Sequence, residues 1–127
     1  MKKIKIEAEN IFPMGFVVDP RPYYQLADYL FMMSHHEGLS YAVLESFKYR
    51  TLVISNKIDG VSELVQHKFN GFLVKNNNKH DFSNLVKYCE KNKKLKENFL
   101  NRSIKVVKKY DRERFLQSYI AFLKSFN

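Results

Sequence analysis

Two carboxylates, Glu37 and Glu45, bracket an amide-rich turn in the run Ser34-His35-His36-Glu37-Gly38-Leu39-Ser40-Tyr41-Ala42-Val43-Leu44-Glu45. Upstream, Tyr29-Leu30-Phe31-Met32-Met33 reads as a buried strand; downstream, Ala42 to Tyr49 reads as a helix. The run is therefore a strand-to-helix loop plus the first turns of the helix, where open α/β sheets bind ligands. The first helical amides have no partner inside the helix, and with the helix dipole they favour an anion such as phosphate. Gly38 lets the backbone approach what sits there. Carboxylates accept hydrogen bonds from hydroxyls. Phosphate-seeking amides between two hydroxyl-seeking acids suit a nucleotide sugar, with its diphosphate in the middle and a ribose and a hexose at its ends.

Other reactive side chains carry less. His35 and His36 are adjacent loop residues, which do not converge on one ion, and no H-x-x-x-H or cysteine partner follows them. No metal site is expected. A general base at His36 has no nameable carboxylate partner. Cys89 falls in an apolar helical neighbourhood and reads as packed rather than nucleophilic. Gly60 and Glu63 follow the next strand; Gly60 suits a turn or a ligand contact, and Glu63 suits a helix start.

Taken together, these residues resemble the retaining GT-B glycosyltransferases of family 4. Glu37 and Glu45 fit the family's E-x7-E, and Ser34-x-x-Glu37-Gly38 fits P-S-x-x-E-G. Ala27-Asp28, Gly60-Val61-Ser62-Glu63-Leu64-Val65 (for G-x-P-E-L-V) and Asn70-Gly71-Phe72-Leu73-Val74 (for N-G-x-L-V) follow in the family's order. The resemblance covers residues 10 to 127, although Arg50 and Leu52 stand where the family usually has Gly and Pro. It implies that Glu37 contacts the hydroxyls of the donor sugar and is the catalytic candidate, while Glu45 holds the ribose. Gly38, Leu39 and Ser40 would supply backbone amides; Ser40 also suits a helix N-cap. No cofactor and no metal are implied. The implied reaction moves a sugar from a nucleotide-sugar donor to a glycan or lipid-linked acceptor with retention, in cell-surface polysaccharide or lipopolysaccharide biosynthesis. The other reading is a non-catalytic nucleotide-sugar-binding module, or a subunit of a split enzyme.

The family's acceptor-binding N-terminal half is not recognisable, nor is the earlier Arg and Lys pair that holds the diphosphate. The chain thus reads as a fragment, completed by the missing half or by a partner chain and inactive alone. Its 127 residues suffice for one domain with a core, not two. One cysteine excludes an internal disulfide framework and fits a reducing compartment. With no span-length apolar run and no secretory signal, the expectation is a cytoplasmic protein, at most at the inner face of the membrane.

The net charge of +9 is uneven: residues 1–74 carry eight Lys/Arg and eight Asp/Glu, whereas residues 75–127 carry fourteen and five. The favoured reading is a solvated outer face on the C-terminal helices; peripheral contact with an anionic membrane is the functional alternative. Nucleic acid is not expected as a partner, because the aromatic residues there fall on apolar stripes rather than between the charges.

The elements that must position the motif follow. Residues 1–9 read as a tail or short strand, residues 10–74 as the α/β nucleotide-sugar-binding region, and residues 75–127 as C-terminal helices. A strand is expected over Asn10 to Val17, a short helix over Tyr23 to Ala27 with Pro22 in its first position, and a strand over Thr51 to Ser55. A helix over Val61 to Gln66, a turn at Asn70-Gly71, and a strand over Gly71 to Val74 come next. Asp81 is expected to cap a helix ending near Lys91. Leu95, Phe99, Leu100, Ser103, Ile104 and Val107 form one helical stripe; Phe115, Tyr119, Leu123 and Phe126 form another. Alternating strands and helices predict α/β architecture: a Rossmann-like parallel sheet with flanking helices, the latter part of a GT-B C-terminal domain.

Overall fold

The computed structural model describes residues 10–36, 38–75, 79–110 and 112–124. In chain order come α1 (Arg21–Leu26), β1 (Tyr29–Met32), α2 (Tyr41–Lys48), β2 (Leu52–Asn56), α3 (Asp59–Ser62) and β3 (Phe72–Val74). Helices α4 (Lys79–Lys91), α5 (Lys93–Val107) and α6 (Arg112–Lys124) complete the described chain, with a 3₁₀ turn at Lys108–Tyr110 between the last two. The strands form a parallel sheet in the order β1-β2-β3, with Tyr29 opposite Leu52 and Ile54 opposite Phe72. The α/β class with a parallel sheet and flanking helices is the one the alternation predicts.

The central strand is buried at every position. Its period of two splits the core. Leu52 and Ile54 join Phe72, Val74, Phe82, Cys89, Phe99 and Leu100 in one layer. Val53 joins Met32, Val43, Phe47, Val61, Leu64 and Val65 in the other. Each such side chain contributes about 1.5–3 kcal/mol. Helix α5 serves both layers, with Phe99 and Leu100 in the first and Val106 and Val107 against the second. The stripe read from its sequence is therefore the side it buries. Cys89 lies fully buried, and burial pushes its thiol up, away from the thiolate.

Several expectations are corrected. No strand forms over Asn10 to Val17: Phe12 and Phe16 stand 76% and 93% exposed. Pro13 has no amide to donate, and Gly15 at φ 63° turns the chain out of the extended region. Helix α1 starts at Arg21, because Asp19 accepts from the Arg21 amide at 3.1 Å; Pro22 takes the second position, not the first. Helix α4 starts before Asp81, which lies inside the first turn instead of capping it. In α6, Leu123 is 49% exposed; Phe126 lies outside the described residues, as do residues 1–9.

Helix α3 covers Asp59–Ser62 and not Val61 to Gln66. Buried Asn70 shapes the chain beyond it. Its Oδ1 accepts from the Gln66 amide at 2.7 Å, and its Nδ2 donates to the Leu64 carbonyl at 2.9 Å. Gly71 beside it answers to space. A Cβ there would meet the Val53 carbonyl oxygen and Val65 Cγ1, each at 2.9 Å. Arg50, where the family usually has Gly, sits at φ 61°. Its guanidinium donates to Asn101 Oδ1 at 3.0 Å and pairs with Glu97, both on α5.

At the amino end of β1, Lys96 of α5 lies 3.1 Å from Asp28 and 3.2 Å from Glu90, over the Tyr29 ring. The Tyr29 hydroxyl donates to Glu90. Burial first, then that bond, pushes the Tyr29 phenol up to about 12. Burial pulls the Lys96 ammonium down, but its bonds to Asp28, Glu90 and Tyr29 hold it above the usual lysine value. The Asp28 of the Ala-Asp motif thus pairs with α5 from an exposed position beside β1.

Two predictions follow from this packing. Gly71→Ala should destabilise the fold by about 1–3 kcal/mol, because the close neighbours are backbone and a buried valine. It would be read as a lower urea midpoint, and an unchanged midpoint would refute the close approach. A phenol whose folded pKa is raised stabilises the fold below its ordinary value of 10.0, and that stability is lost as pH rises through about 12. The thermal midpoint should therefore fall across that window, and Tyr29→Phe should blunt the fall. Identical alkaline profiles for the two proteins would contradict this.

Candidate functional site

The loop from β1 to α2 and the loop from β2 to α3 leave the same, carboxyl end of the sheet, as parallel strands require. Between them lies an open cleft of about 570 Å³ lined by His35, His36, Gly38, Lys57, Ile58 and Asp59. Asn56, the last residue of β2, joins the two loops: its Nδ2 donates to the Ser34 carbonyl at 3.3 Å. Its Oδ1 is buried without a hydrogen-bond partner among the described residues. The Lys57 amide is held by the Val74 carbonyl at 2.8 Å, which fixes the second loop to β3.

Ser40 begins α2 at the N-cap position in extended conformation, and its carbonyl accepts from the Val43 and Leu44 amides. Its buried hydroxyl makes no capping bond and lies 3.6 Å from the Met32 sulfur. The cap expected of Ser40 is thus one of backbone position only. The amides of Tyr41 and Ala42 have no acceptor within the helix. A Cβ at Gly38 would meet nothing within 4 Å among the described residues, so their packing does not demand glycine there. Leu39 and Tyr41 are 40% and 73% exposed beside it.

Glu37 lies outside the described residues. Glu45 is half-buried one turn inside α2 and faces α1. The Tyr24 phenol is raised first by burial and then by the Glu45 carboxylate, and its ring stacks on Tyr49 at 6.4 Å. The structure therefore gathers Gly38 with both histidines, Lys57, Ile58 and Asp59 around one cleft, with Leu39 and Ser40 at its helix side and Glu45 on the flank toward α1. Sequence reasoning passed over Lys57 and Asn56. A polar residue ending an apolar strand, followed by a cation opening the second ligand-side loop, was the available signal. Among the described residues no group of three or more His, Cys, Asp or Glu could hold a metal ion.

The sequence profile of the family "Glycosyl transferases group 1" matches residues 2–106. The chain is 26% identical over 112 residues to the lipopolysaccharide core biosynthesis glycosyltransferase LpsE of Rhizobium meliloti (strain 1021), covering 87% of this chain and 33% of that protein. Its fold is similar to that of Anabaena Alr3699/HepE in complex with UDP and glucose, with a TM-score of 0.79 at 21% identity over 88% of this chain and 31% of that one. It is also similar to the C-terminal domain of a glycosyl transferase group 1 family protein (LpcC) from Francisella tularensis, with a TM-score of 0.65 at 23% identity over 78% of this chain and 53% of that one. The chain spans about a third of the length of LpsE and of HepE. A family profile that runs from before β1 through α5, and a parallel sheet with its cleft at the strands' carboxyl ends, make this chain a member of the glycosyl transferases group 1 family.

Proposed function

We propose that the chain is the donor-binding part of a retaining, family 4 glycosyltransferase that takes its sugar from a nucleotide sugar. The observation that carries this reading is the cleft against the start of α2, at a turn that two acids flank in the sequence. In this reading the diphosphate lies at the turn of Gly38, Leu39 and Ser40, stabilised by amides fixed before the reaction begins. The ribose then lies on the α1 flank, where the Glu45 carboxylate stands beside Tyr24. The sugar lies toward Glu37, whose acceptor oxygens fix its hydroxyls. Lys57 lends positive charge to the cleft. The complexes of HepE with UDP-glucose and UDP support a uridine nucleotide as the first probe. The name of LpsE supports an acceptor in lipopolysaccharide assembly.

The share of the relatives covered supports a partner half, covalent or separate, that brings the acceptor. The reaction is proposed for the cytoplasm. No helix among the described residues is long and apolar enough to cross a membrane, and the basic C-terminal helices suit peripheral contact with its anionic face.

The purified chain should bind UDP-glucose yet transfer nothing to any acceptor and release no glucose; turnover by the 127-residue chain would overturn the partner-half reading. The two acids should separate. Glu45→Gln should weaken UDP about ten- to a hundredfold, the loss of one charge-assisted bond worth about 1.5–3 kcal/mol. Glu37→Gln should weaken UDP-glucose while leaving UDP unchanged. Both are read by NMR titration. Undiminished UDP binding by Glu45→Gln would remove the ribose assignment, and equal losses for both ligands in Glu37→Gln would remove the sugar assignment.

A further inference from the structure

A second, larger cavity lies away from the start of α2. It is a trough of about 910 Å³ between β3 and α4, within the range of about 300–1,000 Å³ typical of small-molecule sites. Its walls are apolar: Phe72, Leu73 and Val74 from the strand, Leu85 and Tyr88 from the helix. Its rim is cationic. Lys57, Lys68 and Lys75 all line it, against the single carboxylate of Asp81. None of the three ammonium groups has a hydrogen-bond or ion-pair partner among the described residues, whereas that of Lys96 elsewhere on the surface is engaged by two acids.

We propose that this trough binds a single anionic amphiphile, an apolar chain carrying a phosphate or a carboxylate. The apolar walls match the chain, and the unpaired ammonium groups match the head. An added peptide strand is disfavoured by the edge of β3 itself. The Leu73 amide is already taken, donating to His67 Nδ1 at 3.1 Å, so the strand does not offer it to another backbone. A bare anion would leave the apolar walls in water. The site stands on its own residues and does not depend on the glycosyl-transfer reading, although Lys57 borders both cavities.

The test is NMR titration of the whole chain with decyl phosphate, kept below the concentration at which it self-associates. Saturable shifts at the amides of Leu73, Leu85 and Tyr88 are expected. Inorganic phosphate and decyltrimethylammonium should not produce them. Lys68 sits at φ 59°, a conformation asparagine tolerates, so Lys68→Asn combined with Lys75→Gln removes two charges while sparing the fold. That double variant should bind at least tenfold more weakly, and so should Tyr88→Ala, which removes a half-exposed wall. Equal binding of the cationic amphiphile would show apolar adhesion alone and overturn the proposal. The same shifts with inorganic phosphate, or indifference of the double variant, would overturn it as well.

Discussion

Everything in this molecule hangs on the burial of β2 from both sides. A strand covered on one face must keep its apolar set toward that face; one covered on both must fit every side chain into a packed layer. Its odd and even positions bind separate layers, and α5 touches both. That double cover fixes where Asn56 ends and Lys57 begins. The height of the second loop above the sheet is therefore a result of core packing. Gly71 belongs to the same constraint, since β3 and its preceding turn come close to β2 only where a side chain is absent.

The cleft is a product of two loops rather than of one motif. The loop after β1 brings Gly38 and the start of α2; the loop after β2 brings Lys57 and Asp59. The Asn56 carboxamide spans the gap to Ser34 and holds them in one geometry. The buried oxygen of that carboxamide has no partner among the described residues and carries a desolvation penalty, a cost the fold tolerates at the junction of the loops.

Much of this was legible in the sequence, for identifiable reasons. The apolar run before Ser34 and the β-branched run from Thr51 have lengths and flanks that admit little but strands, and both formed within one residue of expectation. The α5 stripe was legible because helical spacing leaves no alternative face. The N-G-x-L-V match was visible, but its meaning was not. Asn70 and Gly71 looked like turn residues, and the close approach to Val53 that demands glycine involves a strand far along the chain. Pattern alone favoured a strand over Asn10 to Val17, yet a strand needs a partner edge, and among the described residues none pairs with it. The flank that Glu45 takes depended on where α1 packs, which no local spacing encodes.

Position 50 carries a consequence for how the sequence can change. Glycine reaches a left-handed backbone because it lacks a Cβ; Arg50 is held there by its grip on Asn101 and Glu97. The two solutions give one backbone but unequal robustness. A glycine is indifferent to what α5 presents, whereas the arginine makes residues 97 and 101 conditional on it. Changes at Glu97 that would be silent beside glycine expose the strain here, which is epistasis written in a single dihedral angle. A double-mutant cycle between positions 50 and 97 is its measure. The residue that keeps this turn left-handed thus depends on a helix some fifty residues further along.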